Sequence, residues 1–405
     1  MIRPIRVPAT FVRGGTSKAV LFKETDLLGF DLAQREAIAL AAIGSPDPYG
    51  REIDGLGGGI SSTSKVGIVG GPDADGYVTW SFGQVDVEHP RVEFKGTCGN
   101  ISAAIGPFAV DEGLVEAVEP FTRVPVLSLT SGQRFIANVP VRDGRAVSEG
   151  DYEIDGVPGR GARIGMEFLD PGGSLGRGVL PSGMARQRFS RLDGRTVEVS
   201  LVDAAIPLIL VRADALEADS VALPEPMENQ TTLMHEMAHL RATAVVALGL
   251  ASDEREASER CRAIPKIAMV GPPAEYRSSR GRPIRADQVD LVARMVSMER
   301  VHRTYALTAA ICTAVAASVD GTVARQVTRG QGQPGGLIRI GHPAGTMDID
   351  VILVERDGVA SVERATAYRT ARRIMDGWVE VPRSYLEGRA WFQVAERQPA
   401  ASAAR

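Results

Sequence analysis

Lysine is scarce in this chain. Of the 46 lysines and arginines among its 405 residues, only Lys18, Lys23, Lys65, Lys95 and Lys266 are lysines. Cysteine is rarer still. Cys98, Cys261 and Cys312 form an odd, widely spaced set with no Cys-x-x-Cys pair, which excludes a disulfide framework and suits a reducing compartment. Blocks of like charge are missing and the net charge is only −4, which argues against a nucleic-acid partner. No apolar run approaches the length of a membrane span; the stretch from Ala204 to Val211 is among the longest. The first residues, MIRPIRVPATFVRGG, lack the continuous apolar core of a signal peptide. A cytoplasmic chain with no membrane partner is expected, and its 44% hydrophobic content is enough for an ordinary core.

Glycine and short β-type runs take the place of what is missing. Strands are expected over Ile5 to Val12, Val66 to Val69, Val78 to Phe82, Val85 to Val87, Val124 to Thr130, Arg134 to Val141 and Thr196 to Leu201. Helices are expected over Asp31 to Ile43, Asn100 to Glu112, Thr231 to Leu248 and Asp287 to Val319, the last as one helix or two meeting near Arg303. The stretches Ile101 to Val110 and Leu307 to Ala317 are apolar on every face, so each reads as a buried core helix. The Gly- and Pro-rich segment DPGGSLGRGVLPSG, residues 170–183, reads as a linker or long loop and is the candidate boundary. The expected architecture is α+β with two similar lobes and a cleft between them. Residues 1–185 form the lobe carrying Lys65 and Cys98. Residues 186–393 form the second lobe, whose last segment is free to pack back on the first, and residues 394–405 form a tail.

Three loops share one chemical logic. They are Arg13-Gly14-Gly15-Thr16-Ser17-Lys18, the stretch GLGGGISSTSK ending in Ser64 and Lys65, and Gly96-Thr97-Cys98-Gly99-Asn100-Ile101-Ser102 at the start of an apolar helix. Glycine lets backbone N–H groups converge on an anion, hydroxyls add donors without bulk, and a helix N-terminus adds its dipole. Such loops suit carboxylates or phosphates, although none has the order of a P-loop. Cys98, flanked by Gly99, stands where a helix end favours a thiolate. Cys312, inside AAICTAVAA, reads as core, and Cys261 as structural or surface. Lys65 is either a point charge for a carboxylate or a base, since an enclosed amine can give up its proton and arginine cannot.

A competing motif is His235-Glu236-Met237-Ala238-His239, the His-Glu-x-x-His pattern in which two histidines one turn apart hold zinc and the glutamate is the base. Glu259 is a candidate third ligand. The same segment also reads as an amphipathic surface helix with Leu233, Met237 and Leu240 inward, and no metal site is assigned.

RGGTSK, IGSPDPYGREIDGLGGGISSTSK, FGQV, GTCGNISAAIGPFAVDEGLV, PKIAMVGPP, HRTYALTAAICTAVAA and GHPAGT, in that order, resemble the 2-methylaconitate cis-trans isomerase (PrpF-like) family, with its related 4-oxalomesaconate tautomerases, aconitate Δ-isomerases and methylitaconate isomerases. SSTSK and the run from IGSPDPYG to DGLGGG are more similar to the methylaconitate branch. The resemblance implies a fold like diaminopimelate epimerase, in which each lobe wraps a curved sheet around a central helix and the active site lies between the lobes. In the epimerase each helix begins with a catalytic cysteine. Here the first is Cys98, whereas the second position holds Ala306, so a two-thiol racemase mechanism is not implied. The chain also departs from the family at Ile206, where an asparagine is usual, and at Ala309, where a glycine is usual.

The resemblance therefore implies a cofactor-independent isomerase moving a proton within an unsaturated di- or tricarboxylate such as 2-methylaconitate or aconitate, with oxalomesaconate-type tautomerisation as the alternative and a zinc hydrolase as the rival class. Lys65 would take the proton and Cys98 return or relay it. Arg13, Gly15, Thr16, Ser17, Ser64, Gly99 and Asn100 would bind substrate. From the second lobe Lys266, Thr308, His342 and Gly345 would hold a distal carboxylate. A homodimer and a functional link to an aconitase-type dehydratase are both compatible with the sequence.

Overall fold

Two apolar helices, each enclosed by strands, organise the chain. The computed structural model describes residues 3–387 except 95–96, 262–264, 298–299, 331–334 and 357–358. Gly96 of the third loop and the expected tail therefore lie outside the described residues. Among those described, nineteen strands join by hydrogen bonds into one continuous mixed sheet. No helix among them is long and apolar enough to cross a membrane.

The first half opens with a hairpin of β1 (Ile5–Gly14) and β2 (Ser17–Lys23). Helix α1 (Leu32–Ile43) follows, started by a capping box between Asp31 and Gln34 and stopped at Gly44 with φ +84°. Strand β3 (Lys65–Pro72) runs parallel to β2, and β4 (Val78–Val85) returns antiparallel to β3. Helix α2 (Gly99–Asp111) then enters the core with every residue but Pro107 and Asp111 buried. Its small residues permit that burial. A Cβ on Gly106 would stand 2.7 Å from both Ala137 Cβ and Val139 Cγ2 of a covering strand.

The second half builds around β5 (Thr196–Ala204), β6 (Ile206–Arg212), α3 (Thr231–Ala247), β7 (Lys266–Gly271), β8 (Leu291–Ser297) and α4 (Leu307–Ser318). All twelve residues of α4 are buried. Strands 336–342, 345–356 and 359–369 pack on it together with β5 and β6. One apolar cluster spans both helices, from Trp80 and Phe135 around α2 to Ile340 and Ile349 around α4. The chain finally returns to its start, for Ala371–Val381 pairs antiparallel with β1.

Two expectations are corrected. Asp287 to Val319 is not helical throughout: Leu291–Ser297 is a strand, and the helix begins only at Leu307. A strand buried on both faces shows a continuous apolar run, which periodicity alone does not separate from a helix. Within it Arg294 is fully buried, donating to the carbonyls of Ala222, Ala293 and Gly341. The expected strand Val85 to Val87 is the end of β4, and residues 86–87 lie beyond it. The segment 170–183 is a long loop tied to β5, for Ser174 Oγ and Leu175 N donate to the Asp203 carboxylate at 2.6 and 2.7 Å.

Candidate active site

The β1–β2 turn lies against the first turn of α2. Gly15 has φ +49°, and a Cβ there would approach Asn100 Oδ1 to 2.3 Å. Asn100 in turn donates from Nδ2 to Thr16 Oγ1 at 3.0 Å. Arg13 holds this turn from behind: its Nη1 donates to the carbonyls of Gly15 and Thr370, each at 2.9 Å. Burial and the nearby Arg372 charge push the Arg13 guanidinium below its ordinary range. Ser17 is buried, yet its hydroxyl makes no hydrogen bond among the described residues.

The glycine-rich loop before β3 does cradle an anion, but the anion belongs to the protein. Glu52 Oε2 accepts from Gly58 N and Gly59 N, each at 2.7 Å, and from Ser64 Oγ at 2.6 Å. A Cβ on Gly57 would stand 2.2 Å from that oxygen. Ser64 is therefore corrected from a substrate ligand to a structural one: it is 0% exposed and its hydroxyl also meets the Ile60 carbonyl. The loop ends at Lys65, the first residue of β3. Glu52→Ala would strip the shared acceptor from the exposed Gly58 N–H, the half-buried Gly59 N–H and the buried Ser64 hydroxyl, and an unmet buried donor costs about 1–3 kcal/mol. The variant is expected to lose about 1–2 kcal/mol in denaturant unfolding and to lose activity with it. Unchanged stability and turnover would remove Glu52 from this role.

Lys65 is 7% exposed. Its Nζ donates to Gln84 Oε1, directly across the β3–β4 pair, and lies 5.2 Å from the centre of the Phe82 ring. Gln84 is fixed for this task by its own Nε2, which donates to the carbonyls of Ser64 at 2.9 Å and Ser61 at 3.2 Å. Burial pushes the Lys65 amine below its ordinary range, and the charge of a Cys98 thiolate opposes that shift.

Cys98 caps α2 in an extended conformation, φ −120° and ψ 100°. Its carbonyl takes Ser102 N and Oγ, while its half-buried thiol makes no capping bond. The sulfur thus sits free at a helix N-terminus. That end meets the start of α4, for a Cβ on Gly99 would lie 3.0 Å from Leu307 Cβ. There Ala306 caps α4 without a side-chain bond, and the buried Thr308 hydroxyl makes no hydrogen bond among the described residues.

On the other side stands Lys266, the first residue of β7, whose Nζ donates to Ser297 Oγ at 2.6 Å. Its enclosed position and the charge of Lys65 push its pKa down to about 8, again against the pull of Cys98. His302 shares this environment. Nδ1 accepts from Thr304 N at 3.2 Å, and burial with both lysine charges pushes its pKa down to about 4. It is therefore neutral at pH 7, with the hydrogen-bond pattern assigning the proton to Nε2. Among the described residues no carboxylate pairs with Lys65 or Lys266.

His342 and Gly345 are corrected. His342 is 1% exposed, its Nδ1 accepts from Ala344 N at 3.2 Å, and burial lowers its pKa to about 3. The turn it starts already holds a carboxylate of the first half. Asp155 Oδ2 accepts from Thr346 N at 2.7 Å and Arg282 Nη2 at 2.6 Å, and a Cβ on Gly345 would stand 1.9 Å from it. The zinc motif does not assemble either. His235 lines a cavity of about 420 Å³ beside Lys266 and Ser297. Glu236 turns inward to accept from Leu192 N, and His239 bonds to Glu254 and the Ser190 carbonyl. Among the described residues no three metal-ligating side chains converge.

The structure thus brings Lys65, Cys98, Gly99, Asn100, Gly15, Thr16, Ser17, Lys266 and Thr308 to one region. Sequence reading missed Glu52, Gln84, Ser297 and His302. The FGQV run contained Gln84, but only the strand register gives it a purpose.

Residues 4–382 match the family described as PrpF protein. A 3-methylitaconate isomerase of Eubacterium barkeri is 42% identical over 386 residues, 94% of this chain and 99% of that one. A 2-methyl-aconitate isomerase of Cupriavidus necator is 36% identical over 393 residues, 93% of this chain and 98% of that one. The crystal structure of a methylitaconate-delta-isomerase has a TM-score of 0.82 at 41% identity and covers 98% of this chain and 100% of that one. A hydroxyproline epimerase from Agrobacterium vitis, at TM-score 0.50 and 12% identity over 92% of each chain, shares the fold alone. Matched along nearly its whole length by the family and by named isomerases, the chain belongs to the PrpF family and is an enzyme.

Proposed function

We propose that this enzyme moves a proton within the allylic unit of a branched unsaturated dicarboxylate or tricarboxylate, with methylitaconate and 2-methylaconitate as the leading substrates. The observation that carries the reading is the Lys65 amine: buried, held by a neutral amide, without a carboxylate partner among the described residues, and close to a free thiol at a helix end. The relatives with these two substrates in their names cover nearly the whole chain.

The chemistry follows from the groups present. A C–H beside a carbon–carbon double bond is weakly acidic, and removing its proton leaves a dienolate spread onto a carboxylate. Donors fixed in advance stabilise that charge. The unengaged hydroxyls of Ser17 and Thr308 and the first N–H groups of α2 and α4 are suited to that role. Lys65, as neutral amine, takes the proton. A proton returned at the other end of the three-carbon unit shifts the double bond, whereas return at the first carbon after rotation gives the cis-trans isomer. Cys98 returns or relays that proton.

The test is proton NMR of the isolated protein in heavy water with methylitaconate, 2-methylaconitate, trans-aconitate and 4-oxalomesaconate in separate tubes. One is expected to isomerise with deuterium entering its allylic carbons. Absence of both exchange and isomerisation with all four would overturn the reading. Exchange by the isolated protein also separates an enzyme from an accessory factor of a dehydratase.

A further inference from the structure

The two halves of the chain repeat one topology, and the repeat matches Lys266 with Lys65. In the first half a hairpin (Gly14 paired with Ser17) is followed by β3 parallel to β2, β4 antiparallel to β3, and then the buried helix α2. In the second half a hairpin (Ala204 paired with Ile206) is followed by β7 parallel to β6, β8 antiparallel to β7, and then the buried helix α4. Details of the turns agree as well. Gly15 in the first hairpin has φ +49°, and Ala205 in the second has φ +63°.

In this correspondence the first residue of β3 matches the first residue of β7. Both are lysines in a chain that has only five. Lys65 donates to Gln84, the residue opposite it on β4. Lys266 donates to Ser297, the residue that continues the Ile267–Val296 register on β8. Each amine is thus held by a neutral acceptor on the neighbouring strand. The cap of α2 is Cys98 and the cap of α4 is Ala306, so the cysteine is not repeated while the lysine is.

A lysine needed only for its charge has no reason to avoid carboxylates, and arginine would serve it as well. The charge of Lys65 acts on Lys266, and two ammonium groups repel, so one amine neutral and one charged is the favoured pair. Such a pair offers a base and an acid at once. The lowered basicity of both amines agrees with this geometry.

We propose that Lys266 is a second proton-transfer residue, serving the far end of the substrate's allylic unit while Lys65 serves the near end. This rests on the isomerase reading above. Lys65 takes a proton as a C–H bond breaks and becomes ammonium. Lys266 ammonium gives a proton as the new C–H bond forms and becomes neutral. Transfer from Lys65 to Lys266 through the Cys98 sulfur, whose charge acts on both amines, restores the starting state with no net gain or loss of protons.

The experiment compares wild type, Lys266→Arg and Lys266→Gln in heavy water with methylitaconate and 2-methylaconitate. For the substrate that the wild type turns over, Lys266→Arg is expected to lower kcat by about 10²–10⁴-fold with KM within about threefold. Deuterium should still enter the carbon served by Lys65, so that exchange outruns isomerisation. Lys266→Gln, which removes the charge, should behave alike in kcat with a raised KM. Retention of kcat by Lys266→Arg, or an equal loss of exchange and isomerisation in both variants, would overturn the proposal. Wild type inert with both substrates would instead count against the isomerase reading itself.

Discussion

Lys65→Ala is expected to lower kcat by about 10²–10⁴-fold, the usual contribution of a positioned acid–base group. Lys65→Arg is expected to be just as damaging. Arginine would preserve the positive charge and could still meet Gln84, but its guanidinium does not give up a proton near neutral pH. A residue that merely bound a carboxylate would tolerate that change far better, so the arginine variant separates the two roles. Deuterium uptake from solvent should vanish along with isomerisation, because proton removal comes first. Full exchange in Lys65→Arg would defeat the assignment.

The pH dependence has a definite sign. Burial lowers the folded-state pKa of Lys65, and Lys266 is lowered to about 8, from a value near ~10.4 in an unfolded chain. Between the folded and unfolded values the unfolded state binds more protons, so stability rises with pH across that window. Below it each enclosed amine costs stability. Lys65→Met is therefore expected to melt no lower than wild type at pH 7 while being inactive. Such a pairing would show that the lost activity is chemical and does not come from unfolding.

How much of this was legible beforehand depended on the range of each interaction. The two buried helices were readable because an all-apolar stretch of small residues has few other fates. Lys65 and Cys98 stood out through local chemistry: a rare residue type after a glycine-rich loop, and a thiol at a helix start. Longer-range facts were hidden. Glu52 lies 12 positions before Ser64, and Asp155 lies 191 positions before Thr346, so nothing local announced that both anion-binding turns hold the protein's own carboxylates. Strand Leu291–Ser297 was mistaken for helix because both its faces are buried. The four C-terminal strands, from Gly336 to Val381, escaped notice altogether. The match of Lys266 to Lys65 needed the strand register, since the two halves share topology without a visible sequence repeat.

Cys98→Ala is expected to lower kcat by about 10²–10⁴-fold as well, with Cys98→Ser recovering part of the loss. Serine keeps a proton-bearing group at the end of α2, where the helix still favours an anion, but its oxygen yields a proton less readily than sulfur. Alkylation supplies an independent check. Cys312 is fully buried, lies 3.4 Å from the Val202 carbonyl, and has its thiol pushed up by burial, so it should not react in the native protein. Cys261 is half-buried, and its thiol lies 3.5 Å from the Leu250 carbonyl. Iodoacetamide is therefore expected to inactivate in step with labelling of Cys98, and a turned-over tricarboxylate or dicarboxylate should slow both together. Cys261→Ala should leave the inactivation rate unchanged. If activity instead falls with labelling of Cys261, or survives complete labelling of Cys98, the thiol has no part in the proton path, and the two lysines must exchange their proton through solvent.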